Sequence, residues 1–316
     1  MGLYRSAATV AGASGDGVVD WNAVREAAKQ GTDPGKLSLS PETESAYAAD
    51  VRAARDGVAD LTGMSVDLPE TVAVQDRHHW IDAATPTFRR TLAPLDGRET
   101  ALPGVARVVN TASMATVVGF LARHVVGQYD PLLLAGEDAE HALYVVHPNL
   151  VEAADALGVD RDLFRRWIAF HEVTHAAEFA TAPWLQPYLE DRVEDAVEAL
   201  ADGEFDVPQA GDLQTAMTVV EGYAELVMDR AFDRDASAMR AALEARRGGG
   251  GPLVSLFRRV LGIGLKREQY ERGRAFFETV VDDHDLDTAT LVWRDPDNLP
   301  TAAELDDPWR WVSRVA

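Results

Sequence analysis

Two histidines with three residues between them, and a glutamate after the first, stand near the middle of a 316-residue chain: His171, Glu172 and His175, in the stretch WIAFHEVTHAAEFATAPWL from Trp167 to Leu185. On a helix, residues i and i+4 lie about 40° apart around the axis and about 6 Å apart along it, so both imidazoles can converge on one ion. Glu172 flanks that face, placed to reach a metal-bound water and not the metal. The spacing matches zinc-hydrolase chemistry. The neighbours Ile168, Ala169, Val173, Thr174, Ala176 and Ala177 are all uncharged in a chain that is 26% charged, as a helix buried beneath a metal site requires.

A catalytic zinc takes three protein ligands and keeps one position open. No His follows at the H-E-x-x-H-x-x-G-x-x-H spacing, and the chain has no Cys, so the third ligand is expected to be a carboxylate from a second helix. TVVEGYAELVMD (Thr218 to Asp229) sets Glu221 in an apolar run where an unpaired carboxylate is expensive to bury. Small Gly222 and Ala224 allow close approach of that helix. Glu225 and Asp229 follow on the same face as alternatives, or as acceptors for the imidazole N–H groups. Glu178 shares the face of the histidines but lies about 10 Å along the axis from His171, too far to join both on one ion. It is placed to support the site or to face a substrate.

Composition bounds the rest. With 47% hydrophobic residues the chain can bury a large core. No run of about 18 uncharged apolar residues suggests a membrane span, and the N-terminus is too weakly apolar for a secretory leader, so a cytoplasmic protein is expected. The absence of Cys agrees and excludes thiol catalysis. A net charge of −22 argues against nucleic acid or an anionic membrane as partner. Only Lys29, Lys36 and Lys266 are lysines, and such an Arg-biased acidic composition suits a salt-rich, halophilic cytoplasm that screens self-repulsion.

Helical periodicity dominates the elements that must position these residues. Helices are expected over 18–30, with Asp20 as its cap, and over 40–64, opened by Ser40; further helices are expected at 75–92, 115–126, 149–157, 162–181, 185–202, 213–247, 253–261 and 266–281. Strands are expected at Ala106 to Asn110, Ala142 to Pro148 and Ala289 to Trp293. Gly248 to Gly251 reads as a helix connection, and Arg246–Arg247 and Arg258–Arg259 as solvated faces. His78 and His79 point about 100° apart and cannot share an ion. Arg77 is expected to pair with Asp76, Trp80 to be core, and Trp309 and Trp311 to dock the C-terminus.

At HEVTHAAEF with PWL, and at EGYAELVMD, the chain resembles a family of zincin-like metallopeptidases of actinobacteria, chloroflexi and archaea. Some members are labelled hydrolases or proteins associated with biosynthesis of a deazaflavin coenzyme. The resemblance extends through VQDRHHW (Val74 to Trp80), VVGQYD (Val125 to Asp130), VVHPNL (Val145 to Leu150), LKREQYERGRAFF (Leu265 to Phe277) and LPTAAELDDPWRW (Leu299 to Trp311), covering nearly the whole chain. With no linker to divide it, the chain reads as one mainly α domain with a small sheet (α+β): an N-terminal helical layer over 1–65, a metal-site core over 100–235, and C-terminal helices over 252–316; the resemblance implies that this fold is zincin-like. It implies one Zn2+ per chain on His171 and His175, Glu172 as general base, and Glu221 as third ligand, because EGYA looks like the Glu-Gly-Phe-Ala segment of gluzincin aminopeptidases.

The reaction this predicts is hydrolysis of a peptide or small amide by a metal-activated water. Tyr223 and His147 are candidates to stabilise the oxyanion, and the strand Ala142 to Pro148 is a candidate edge for an extended peptide. A catalytically silent, metal-stabilised scaffold is the competing class, and hydrolysis of a small amide or ester in coenzyme metabolism a third. Intact Glu172 favours catalysis, since a structural site needs no base.

Overall fold

Short polar side chains set where the helices begin. In the computed structural model, which describes residues 2–15, 17–68, 72–96, 102–130, 142–202, 208–247 and 267–316, a first helix α1 (Gly2–Ala11) leads to α2 (Trp21–Gln30) and α3 (Pro41–Thr62). Asp20 accepts from the Ala23 N–H at 3.0 Å to open α2, and Ser40 from the Thr43 N–H at 3.2 Å to open α3, with Glu42 and Glu44 in its first turn.

A small sheet follows: β1 (Val72–Gln75), β2 (Gly127–Asp130) and β3 (Ala142–Val146), ordered β1-β3-β2. β1 runs parallel to β3, and β2 antiparallel to it with Gln128 opposite Tyr144. Between β1 and β2 lie α4 (Arg77–Thr91) and α5 (Pro103–Ala122). After β3 come α6 (His147–Leu157), α7 (Arg161–Thr181), α8 (Leu185–Ala201), α9 (Pro208–Ala231) and α10 (Ser237–Arg247). α11 (Arg267–Asp283) and the short α12 (Leu286–Thr290), α13 (Ala302–Asp306) and α14 (Pro308–Val315) close the chain. The protein is mainly α with a small sheet beside the helix that carries the two histidines.

α7 is buried on almost every side, with Phe164, Trp167, Ile168, Phe170, Val173, Ala176 and Ala177 in the core. It packs against α3, α6, α9 and β2. The larger hydrophobic core joins these elements to α8, α11 and the C-terminal helices; a smaller one forms among α1, α2, α4 and α5.

Several expectations give way here. Ala106 to Asn110 is helix, part of α5, where Ala115, Val118 and Ala122 recur at helical spacing to fill the smaller core. Ala289 to Trp293 ends α12 and enters a 3-10 turn. The expected helix over 213–247 is two, broken after Ala231. β3 is the middle strand, so the antiparallel edge is β2 instead. Arg77 turns inward, its Nε donating to Asn149 Oδ1 at 2.6 Å and its guanidinium meeting Glu152 at 2.6 Å, because the Asp76 carboxylate is occupied capping α4 at the His79 N–H. Trp80 and Trp311 are core, whereas Trp309 stays half-exposed beside His284. α5 is long and apolar enough to cross a membrane by length and composition, though Arg107 lies within it; its inner face packs on α2 and α4. The helix over 253–261, the Gly248 to Gly251 connection and the arginine pairs at 246–247 and 258–259 lie outside the described residues or side chains.

Candidate metal centre

Asp160 starts α7 by accepting the Leu163 N–H at 2.8 Å. One turn on, Arg165 and Arg166 anchor it. Both reach the buried Asp50 of α3, at 2.6 and 3.0 Å, and Arg166 also binds Asp233, just beyond α9, at 2.6 Å. The same residues thus tie the histidine helix to α3 and to the end of α9. Across the bundle, α9 comes close to α11 because Gly222 and Gly273 present backbone to backbone.

This framework brings His171, His175 and Glu221 together, with ligand atoms all within 4.8 Å of one another. The two Nε2 atoms are 3.3 Å apart, and His171 Nε2 is 3.9 Å from Glu221 Oε2. Two nitrogens at about 2.0–2.1 Å from one tetrahedral ion would stand about 3.3–3.4 Å apart, so the histidine spacing fits zinc. The three side chains retain a narrow opening to solvent, each 12–14% exposed. Two imidazoles and a carboxylate form a donor set suited to zinc, and among the described residues it is the group that could hold a metal.

The surroundings are poor in positive charge. Burial pushes the Glu221 carboxyl up to about 7, opposed by His175 and reinforced by the charges of Glu178, Glu225 and Glu172. Burial also raises Glu172, against the pull of His175 and of the Tyr129 N–H, and raises Glu178 well above the usual carboxylate range. A dication would relieve all three.

Glu172 is 3% exposed, and its Oε2 accepts the Tyr129 N–H of β2 at 2.7 Å. Gly127 makes that approach possible, since a Cβ there would fall 2.6 Å from Glu172 Oε1 and 2.7 Å from Ile168 Cγ2. Glu178, three residues beyond His175, accepts from its Nδ1 at 2.8 Å. The strand β2 and its contact with Glu172 escape a sequence reading; the i, i+3 spacing of His175 and Glu178 was the available signal for the other contact.

The other predicted participants lie elsewhere. Tyr223, two residues after Glu221, points about 200° around α9 into the core. Fully buried against Phe277 and Trp293, its hydroxyl contacts Thr290 Oγ1 at 3.0 Å and Met64 Sδ at 3.2 Å. The structure does not bring this hydroxyl to the histidines as an oxyanion donor. His147 opens α6 with Nδ1 2.9 Å from the Tyr47 hydroxyl. Asp229 is held by Arg240 at 3.0 Å and Arg274 at 2.9 Å. His78 meets the Thr32 carbonyl and His79 meets Asp76.

A family model described as zincin-like metallopeptidase matches residues 19–211 and 208–312. No curated protein matches the chain. Among solved structures, the chain is similar to a protein of Chloroflexus aurantiacus, provisionally called a hydrolase and described as having a novel fold. The two are 28% identical with a TM-score of 0.78, over 94% of this chain and 98% of that one.

Proposed function

The chain belongs to the zincin-like metallopeptidases, and from that premise we propose that it is a zinc-dependent hydrolase of peptide bonds, with His171, His175 and Glu221 as ligands and Glu172 as general base. The observation that carries this reading is the convergence of two imidazoles and one carboxylate from α7 and α9 at a spacing suited to one ion. Zinc in a three-ligand set supplies Lewis acidity and makes water nucleophilic near neutral pH.

The protein's own groups do the proton work. Glu172 has one oxygen tied to the Tyr129 N–H, which leaves the other to accept a proton from the attacking water and return it to the leaving amine. Its burial raises its basicity above that of an exposed carboxylate. His171 and His175, on consecutive turns of a helix packed on nearly every side, are preorganised, so little reorganisation accompanies the reaction.

One observation favours a compact amide over an extended peptide as substrate. The outward N–H of β2 at Tyr129 already donates to Glu172, and is not free to pair with a substrate strand.

The test is zinc content and hydrolysis of a peptide library and small amides in concentrated KCl, for wild type, Glu172→Gln and Glu221→Ala. The reading expects one zinc and turnover in wild type, zinc without turnover in Glu172→Gln, and loss of zinc in Glu221→Ala. Zinc binding with no turnover beyond that of Glu172→Gln would leave a scaffold.

A further inference from the structure

No described carboxylate is more deeply buried than Glu178, whose side chain has no solvent exposure. Its Oε2 lies 2.8 Å from His175 Nδ1, while its Oε1 is buried with no hydrogen-bond partner. One donor from a neutral imidazole is poor compensation for stripping a carboxylate of water, and an apolar side chain would fill this place on α7 at lower cost. The arrangement makes physical sense if the imidazole carries positive character from a cation on its far side. Nδ1 and Nε2 lie across the same ring, and Nε2 is the atom 3.3 Å from its counterpart on His171.

We propose that Glu178 is a positioning residue for the metal: its carboxylate fixes His175 with the proton on Nδ1, aims the Nε2 lone pair at the ion, and is itself stabilised by the ion's charge through the ring. The proposal rests on the reading of His171, His175 and Glu221 as a metal site, and is independent of which bond is hydrolysed. Glu178 and the ion are then thermodynamically coupled, and removing the carboxylate has opposite effects on the metal-free and the metal-bound protein. An ordinary packing role would lower both stabilities together and leave metal affinity alone.

The experiment is competition for zinc against a chromophoric chelator, with thermal unfolding of metal-free and zinc-loaded protein, for wild type, Glu178→Gln and Glu178→Leu. Glu178→Gln keeps the shape and an acceptor oxygen, so it separates loss of charge from loss of packing. The expected result is zinc affinity weakened about 10- to 100-fold in both variants, with metal-free melting temperatures no lower than wild type and a smaller shift on adding zinc. Affinity within about twofold of wild type in a folded variant overturns the proposal, as does equal loss of stability with and without zinc. Wild type that binds zinc and hydrolyses nothing overturns the peptidase reading and leaves Glu178 its role. Variants that turn over substrate and bind zinc as wild type does overturn Glu178's role alone.

Discussion

Gly222 of α9 and Gly273 of α11 meet backbone to backbone: a Cβ on Gly222 would strike the Gly273 backbone, and one on Gly273 would strike the Thr218 carbonyl. Gly222 directly follows Glu221, so the crossing fixes the part of α9 that faces the histidines. Gly222→Ala and Gly273→Ala should each cost about 1–3 kcal/mol through overpacking, read as lower denaturation midpoints in urea. Because they share one contact, the double variant should cost less than the sum; additive losses would show the two sites to be independent.

Arg166 is buried between Asp50 and Asp233. Arg166→Met leaves Asp50 with Arg165 alone and should destabilise by about 3 kcal/mol. Replacing Asp50 by Leu in the same chain should recover part of the loss, since it removes the buried carboxylate left one partner short while Arg165 keeps Asp162. No recovery in equilibrium unfolding would argue that α3 and α7 depend on the charges themselves.

The Glu221 carboxyl, raised to about 7 by burial, makes metal-free stability depend on pH. The unfolded chain releases this proton near the ordinary value, and the folded chain holds it longer. The fold's advantage from Glu221 is therefore whole below the unfolded pKa, falls as pH rises toward about 7, and is gone above it. Metal-free wild type should lose stability relative to Glu221→Gln across that window. Zinc should reverse the slope, because its ligands must shed their protons to bind. Parallel pH profiles of wild type and Glu221→Gln would remove Glu221 as the cause.

Tyr223→Phe deletes a buried hydroxyl that meets Thr290 and Met64. It should cost about 1 kcal/mol of stability while zinc affinity and kcat stay near wild type. A large fall in kcat at unchanged stability would restore this hydroxyl to the reaction.

At a net charge of −22, self-repulsion opposes the compact state until salt screens it. The melting temperature should rise steadily from dilute buffer to molar KCl. A flat or falling curve would mean that the ion pairs, such as those of Arg165 and Arg166, outweigh the excess charge.

What could be read in the sequence was local. Asp20 and Ser40 stand at helix starts because their short side chains bond the next free N–H groups, and the i, i+4 geometry of His171 and His175 follows from helix dimensions alone. What could not be read depended on distant partners. Val108 and Asn110 sit in a stretch whose β-branched residues suit a strand, yet α2 and α4 supply the core that makes it a helix. β1 and β2, four residues each, are too short to announce a period. Arg77 took Asn149 and Glu152 over its neighbour Asp76, a choice visible only once α4 and α6 are side by side. Tyr223 misled because standing two residues from Glu221 in sequence puts it on the opposite face of α9.

β3 has one hydrophobic cluster on each side, with Leu143 and Val145 in the larger and Val146 in the smaller. The strand works as a bulkhead: apolar cohesion builds up separately in two compartments, and His171, His175, Glu172, Glu178 and Glu221 all belong to the elements of one of them. The two are joined across that wall by polar bonds and not by shared apolar packing, as where Arg77 of α4 reaches Asn149 and Glu152 of α6 and Asn149 in turn donates to the Ala122 carbonyl.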